Sequence, residues 1–406
     1  MASSTASTAL FRRNVALLAV AQGLFMCTQS MGIATTPLAG HALLGADKSL
    51  ATLPIFLNHA GIMMTTIPAS LLMGRIGRRA GFTIGAFLAI VFGLLAAYAV
   101  VIKSFELLCL SALLQGSAAA FAWYYRFAAA DVSPDLFKPK AISYVMAGGI
   151  AAGLIGPQIA KWTVDWFAPI TFMGVYVAIT ITGVLSVILM QFLRIPPLTA
   201  AERAEGGRPM LEIIRQPIYI GAIISSMFGY GVMTLVMSAT PLAMLDCGFH
   251  FSDSATVIQA HIIAMFVPSF FTGALIQRFG VLTIIATGAV IQAACAITNI
   301  AGVEFANFLV ANAFVGLGWN FTYVGGSTLL TKAYRPAERA RVQASHDFTV
   351  YATTATAAAL AGFLQQKSGW VAINLAALPL MGIVLCAMLW LAQKQRRAAQ
   401  TTQAAE

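Results

Sequence analysis

The chain has 406 residues, 59% of them hydrophobic and only 9% charged, with a mean hydropathy of +0.82. These values exceed those of ordinary soluble domains and leave no room for a large water-exposed one. The formal net charge of +10 would invite nucleic acid on a soluble chain, but on so apolar a chain it is expected from membrane topology and implies no nucleic-acid partner.

A helix crosses the hydrocarbon core with roughly 20 apolar residues. Twelve runs qualify, at about 14–37, 50–73, 81–102, 105–128, 141–160, 169–193, 216–240, 255–277, 281–301, 305–330, 344–365 and 371–393. They predict an all-α protein of the lipid bilayer, because lipid offers backbone groups no partner and a barrel would show short alternating strands. The polar start MASSTASTALFRRN leads into a full-length apolar run, which reads as a first spanning helix and not a cleaved signal peptide.

Span one has no acid from Asn14 to Leu38 and carries Gln22 and Gln29. Span two holds Asn58 beside His59 and ends in SLLMGRIGRR, residues 70–79, which contains Arg75, Arg78 and Arg79. Span four carries Gln115 and then FAWYYRFAAAD, with Trp123, Arg126 and Asp131. Arg126 either contacts substrate or, paired with nearby Asp131, gates the inner end. Span five, GGIAAGLIGPQIAK, has glycines and a proline that permit close helix approach and a bend. Residues 194–215 are rich in prolines, glycines and charges, as a linker is. They separate a six-span half at 1–193 from another at 216–406.

Span eight contains His261, either a packed histidine or a ligand and proton carrier. It closes on GALIQRFGV, residues 273–281, with Arg278. Span ten contains GLGWNFTYVGG, where Trp319, Asn320 and Tyr323 are either helix packing or the walls of a site for a flat, uncharged ring system. Span eleven starts in QASHDFTVYATT. Gln343, Tyr351 and Thr354 share the face of Asp347 at helical spacing. Asp347 is either a cavity carboxylate that binds substrate or a proton, or an end-of-helix carboxylate paired with Arg339 or Arg341. A charge inside the bilayer costs several kcal/mol, so each of these groups requires a reason.

The two halves repeat. Gly77 and Gly280, like Arg75 and Arg278, are 203 positions apart, which places Asn58 at the counterpart of His261. Pro134 and Pro336, Ser143 and Ser345, and Gly116 and Gly318 are 202 apart. With both termini cytoplasmic, every Lys and Arg except Lys48, Lys103, Lys161 and Lys367 falls in a cytoplasmic loop or at an inner helix end, as the positive-inside rule requires. HExxH, GxSxG, GxxxxGK[ST] and paired intramembrane carboxylates are all missing, and the five cysteines are scattered. No enzyme, nucleotide-driven pump, metal site, cofactor or disulfide is therefore expected.

SLLMGRIGRR resembles the loop after helix two of the major facilitator superfamily, whose pattern is Gly, three residues, Asp, Arg or Lys, any residue, Gly, Arg, then Arg or Lys. The chain keeps Arg75, Gly77, Arg78 and Arg79, with Ser70 and Gly74 at the first Gly and Asp positions. The second copy keeps Gly273, Arg278 and Gly280, with Gln277 at the Asp position. The GPxxGG ending of the family's antiporters is incomplete here, as GPQIAK, and Ala112 replaces the family's span-four arginine ahead of Gln115 and Gly116. The resemblance implies two pseudo-symmetric six-helix halves with substrate bound between them near the midplane. YRFAAAD, TLVMSATPLAM and GLGWNFTYVGG are further similar to bacterial riboflavin uptake carriers.

The expectation is a secondary-active or facilitative carrier of the bacterial cytoplasmic membrane, a monomer working by alternating access. It imports riboflavin or a similar neutral heteroaromatic nutrient, with protons as the candidate coupling ion. Its alternative is a proton-coupled efflux carrier for small hydrophobic compounds. Gln22, Asn58, Gln115, Trp123, His261, Trp319, Asn320, Tyr323 and Tyr351 are the candidate substrate ligands. Asp347, Arg126, Asp131, Arg75, Arg78 and Arg278 are the candidates for coupling or gating.

Overall fold

The computed structural model describes residues 2–44, 53–195 and 207–403. Lys48, Arg203 and linker residues 196–206 lie outside the described residues. Helix dominates, and no strand occurs among the described residues.

Among the described residues, eight helices are each long and apolar enough to cross a membrane: Leu10–Leu43, Leu53–Ile76, Arg78–Val101, Phe105–Asp131, Met173–Gln191, Pro217–Asp246, Val281–Ala301 and Lys367–Arg397. They are spans one to four, six, seven, nine and twelve. The other four expected spans are present but irregular or more polar. Span eight is a pair, Thr256–Phe266 and Ser269–Phe279, bent by 43°. The bend falls at Pro268, whose ring and missing N–H disrupt the helical ladder. Span five is three short helices, Lys138–Ala147, Ile150–Leu154 and Gly156–Thr163, interrupted at Gly148–Gly149 and ahead of Pro157. Span ten, Phe305–Leu330, is a single helix diluted by Asn307, Asn312, Trp319, Asn320 and Tyr323. Span eleven is the first part of Arg339–Gln403, which breaks at Gly369 (φ 77°) before span twelve. The result is the expected twelve-helix membrane fold. The polar spans eight, ten and eleven are those that carry His261, Trp319 and Asp347.

Glycines set how closely the helices cross. A methyl group on Gly116 of span four would collide with the Asn58 carbonyl of span two, and one on Gly316 of span ten would lie 2.7 Å from the His261 carbonyl of span eight. Phe121 packs on Gly85 and Phe321 on Gly288 in the same way. These contacts correct one repeat pairing, because the partner of Gly116 is Gly316 and not Gly318. Spans four and ten align at an offset of 200, and two extra residues precede Pro336.

The framework divides into two compact units. One comprises Met1–Asp135, Tyr144–Glu205 and Gln343–Phe348; the other comprises Leu136–Ser143, Gly206–Val342 and Thr349–Glu406. The start of span eleven thus belongs to the first unit, and the start of span five to the second. In the second unit the Ser143 hydroxyl donates to the Ser269 carbonyl and accepts from Gly273 N at 2.9 Å. Gly273, the first glycine of the repeated motif, leaves room for the Lys140 backbone, which a methyl group there would approach at 2.6 Å.

Candidate functional site

In the first unit, buried charges gather where span four ends and span eleven starts. After the turn at Trp123–Tyr124, Tyr125–Asp131 forms a separate short helix that carries Arg126 inward. The Arg126 guanidinium donates to Asp347 Oδ1 at 2.6 Å and to the Trp123 carbonyl, and lies 4.2 Å from the Phe127 ring centroid. Asp347 Oδ1 also accepts from His346 Nδ1 at 2.9 Å, and His346 meets Phe127 edge-on at 6.2 Å. Asp347 Oδ2 and His346 Nε2 have no hydrogen-bond partner among the described residues. Arg126, His346 and Asp347 are all buried. Stripping a partner from such a pair costs about 3–5 kcal/mol, because a bare charge stays behind.

Beside this group Arg78 donates to Asp131 Oδ2 at 3.0 Å and to Gln343 Oε1, with its guanidinium 5.6 Å from the Tyr124 ring centroid. Sequence proximity pointed Arg126 to Asp131; the structure instead gives Arg126 a carboxylate 221 positions away and puts Arg78 on Asp131. One of the two readings of Asp347 paired it with Arg339 or Arg341; its carboxylate instead sits on Arg126 and His346. With Gly74 in place of the motif's acid, the buried anchor of this loop is Arg78 on Asp131. Arg75 and Arg278 are exposed, and Arg278 lies over the ring of its neighbour Phe279 at 5.2 Å.

The second unit gathers aromatic rings. Trp319 and Tyr323, one turn apart on span ten, stack at 5.1 Å with 19° between their planes. Tyr230 of span seven stands edge-on to Trp319 at 5.3 Å, to Tyr323 at 5.1 Å and to Tyr351 at 6.2 Å. The Tyr323 and Tyr351 hydroxyls are 3.4 Å apart. Phe266 also meets Trp319 edge-on, at 5.7 Å. Asn320 points elsewhere. Its amide donates to the Met265 carbonyl at 2.7 Å and to Ser269, and accepts from Thr272 at 2.6 Å, fastening span ten to bent span eight. His261 belongs to the same seam, with Nδ1 2.9 Å from the Asn312 carbonyl. A carbonyl only accepts, so Nδ1 donates there; Nε2 has no partner among the described residues.

The remaining candidates lie in the first unit. Trp123 meets Phe25 edge-on at 5.5 Å. Gln22, Asn58 and Gln115 are buried with amide nitrogens that have no partner among the described residues. Reasoning from sequence missed His346 and Tyr230. His346 stands beside Asp347 in the same quoted stretch and could have been weighed with it. Tyr230 sits in FGYGVM, where nothing separates it from an ordinary packed aromatic.

Comparison with known proteins places this architecture. The family model described as Major Facilitator Superfamily matches residues 18–298 and 222–406. The chain belongs to the major facilitator superfamily. Like other proteins of that superfamily it is a multi-pass membrane transporter, not an enzyme. It is 37% identical to the riboflavin transporter RfnT of Brucella anthropi over 93% of this chain and 95% of that one. It is 26% identical to the uncharacterized MFS-type transporter YddS of Bacillus subtilis over 94% of this chain and 91% of that one. Among solved structures, the E. coli fucose:proton symporter FucP superposes with a TM-score of 0.76 at 15% identity, over 94% of this chain and 99% of that one. At that identity the likeness concerns the fold alone.

Proposed function

We propose that this major facilitator protein imports riboflavin, or a similar neutral heteroaromatic nutrient, across the bacterial cytoplasmic membrane with both termini inside. The observation that carries the reading is the neutral aromatic group of Trp319, Tyr323, Tyr230 and Tyr351. Stacked and edge-on rings suit a planar, uncharged ring system, and a fixed charge would add nothing to its recognition. The kinship to a riboflavin transporter over nearly the whole chain supports the same substrate. The halves 1–193 and 216–406, linked through 194–215, are the bodies that alternate access, and Arg126 with Asp347 ties span four to span eleven during that cycle. Asp347, with His346 on its carboxylate, is the group through which protons couple to movement. That group also sustains a second reading, proton-coupled export of small hydrophobic compounds.

The test is growth and labelled-vitamin uptake in a bacterial strain unable to make riboflavin, with and without an uncoupler. Growth at low vitamin with accumulated label supports import. If membrane-inserted protein moves no riboflavin, the vitamin reading fails and export assays follow.

A further inference from the structure

A small cavity opens within the first unit among spans one, three, four and six, lined by Phe25, Thr28, Gln29, Gln115, Tyr125 and Ser186 among others. Its volume of about 20 Å³ is that of one water-sized group. Two hydroxyls around it, those of Thr28 and Ser186, are already engaged. Thr28 bonds Thr182 at 2.8 Å, and Ser186 donates to the Thr182 carbonyl at 2.8 Å. One atom of each of the two carboxamides is not. Gln29 Oε1 and Gln115 Nε2 are buried and have no hydrogen-bond partner among the described residues, although the residues are only 7% and 3% exposed. Their placement is built into the helices. Gly32 lies one turn beyond Gln29 on span one, and a methyl group there would overlap the Gln115 carboxamide. Gly32 therefore leaves the room on span one that the Gln115 amide fills, one helical turn from Gln29.

Both residues line this one small space, and an unpartnered acceptor and donor there are complementary to an N–H with a neighbouring C=O. We infer that Gln29 and Gln115 form a two-point reader for the lactam or imide edge of a heteroaromatic ring. Gln29 Oε1 accepts from the ring N–H, and Gln115 Nε2 donates to the adjacent carbonyl. Only the N–H and carbonyl of that edge reach the two carboxamides, because the space does not admit a ring. The inference rests on the nutrient-import reading and sharpens it: oxopurines, oxopteridines, pyrimidinediones and isoalloxazines carry such an edge, whereas simple hydrophobic amines and hydrocarbons do not.

The test compares uptake of labelled riboflavin with uptake of its N3-methyl derivative, whose ring N–H is replaced by N–CH3, in the riboflavin-requiring strain. The intact carrier is expected to favour riboflavin by about tenfold or more, since a site built to bond an N–H rejects the analogue that lacks it. Gln29→Leu lowers riboflavin uptake and brings the two compounds to nearly equal rates. Gly32→Ala, which displaces the Gln115 amide, lowers uptake of both. Equal uptake of the two compounds by the intact carrier overturns the inference while the import reading stands, and that arm needs no variant to fold. Gln29→Leu protein that is membrane-inserted, less stable and still selective marks a structural water site and overturns it too. No riboflavin movement at all removes the import reading, and the reader with it.

Discussion

The two units have used one duplicated scaffold for opposite chemistry. With spans four and ten aligned through Phe121 and Phe321, Trp123 falls opposite Tyr323 and Arg126 opposite Gly326. Where the first unit places a guanidinium on a buried carboxylate, the second has a glycine pressed against the hydroxyls of Ser225 and Ser226 in span seven. A side chain at 326 would force that helix pair apart, so this position in the second unit excludes an arginine. The second unit instead stacks Trp319 on Tyr323, and the first has Ala119 at the position of Trp319. Duplication fixed where the helices cross, while the residues between the crossings diverged into a charged region and an aromatic one.

The sharpest way to break this contrast is to remove the charge from the first unit. Asp347→Asn and Arg126→Met are each expected to reduce transport by about 100-fold or more and to destabilise the purified protein by about 3–5 kcal/mol, because the surviving partner is left buried. Combining Arg126→Met with Asp347→Leu should recover much of that stability without recovering transport. Thermal unfolding in detergent beside uptake assays separates the two effects. A double variant as unstable as the sum of the singles would show that the pair is not coupled.

On the aromatic side, Trp319→Ala removes a fully buried indole and should cost about 3–5 kcal/mol in stability. Trp319→Phe tests the site more cleanly. It retains an apolar ring, so the melting temperature should move little. Binding of riboflavin, followed by quenching of its fluorescence, should weaken by about tenfold if stacking on this ring recognises the vitamin. Unchanged affinity would leave the stack as packing alone.

The glycine crossings shared by both units predict a smaller, matched effect. Gly116→Ala and Gly316→Ala should each cost about 1–3 kcal/mol, because a methyl group meets backbone atoms that cannot swing away. Gly382→Ala, with nothing within 4 Å of the new methyl group, should be close to neutral. A harmless Gly316→Ala would contradict the alignment of spans four and ten.

The scaffold was legible in the sequence because lipid imposes a simple rule. Twelve apolar runs, cations on one side and a repeat near 203 positions specify the helices without knowledge of their contacts. The site was legible only where a residue was unusual for its surroundings. Asp347, Arg126 and Trp319 stood out as polar or bulky groups within or beside apolar spans. Their partners did not, because Arg126 reaches Asp347 across 221 positions and Arg78 reaches Gln343 across 265. Nothing local distinguishes those pairs from Arg126 with nearby Asp131. Asn320 shows the opposite failure: it resembled a ligand but is consumed by three bonds within the span eight and span ten seam.

The smallest effect is expected outside the spans, at a contact that anchors the end of the linker to the second unit. Arg208 donates to Glu338 Oε1 at 2.9 Å and Oε2 at 2.7 Å, and Arg341 donates to the Arg208 carbonyl at 2.6 Å. The Arg208 bond is the chief reason the Glu338 carboxyl is lowered from 4.5 to about 2; burial opposes the shift, and the N–H groups of Arg335 and Arg208 add to it. A carboxyl lowered on folding contributes its full stability above the unfolded value and loses it as pH falls through the folded one. Glu338→Gln should therefore unfold a few degrees below the parent protein at pH 7, with the gap closing as pH falls from about 4.5 toward 2. Parallel unfolding curves at pH 7, 4 and 3 measure this directly. A gap that persists unchanged at pH 3 would mean that shape, and not the carboxylate's charge, holds Arg208 in place.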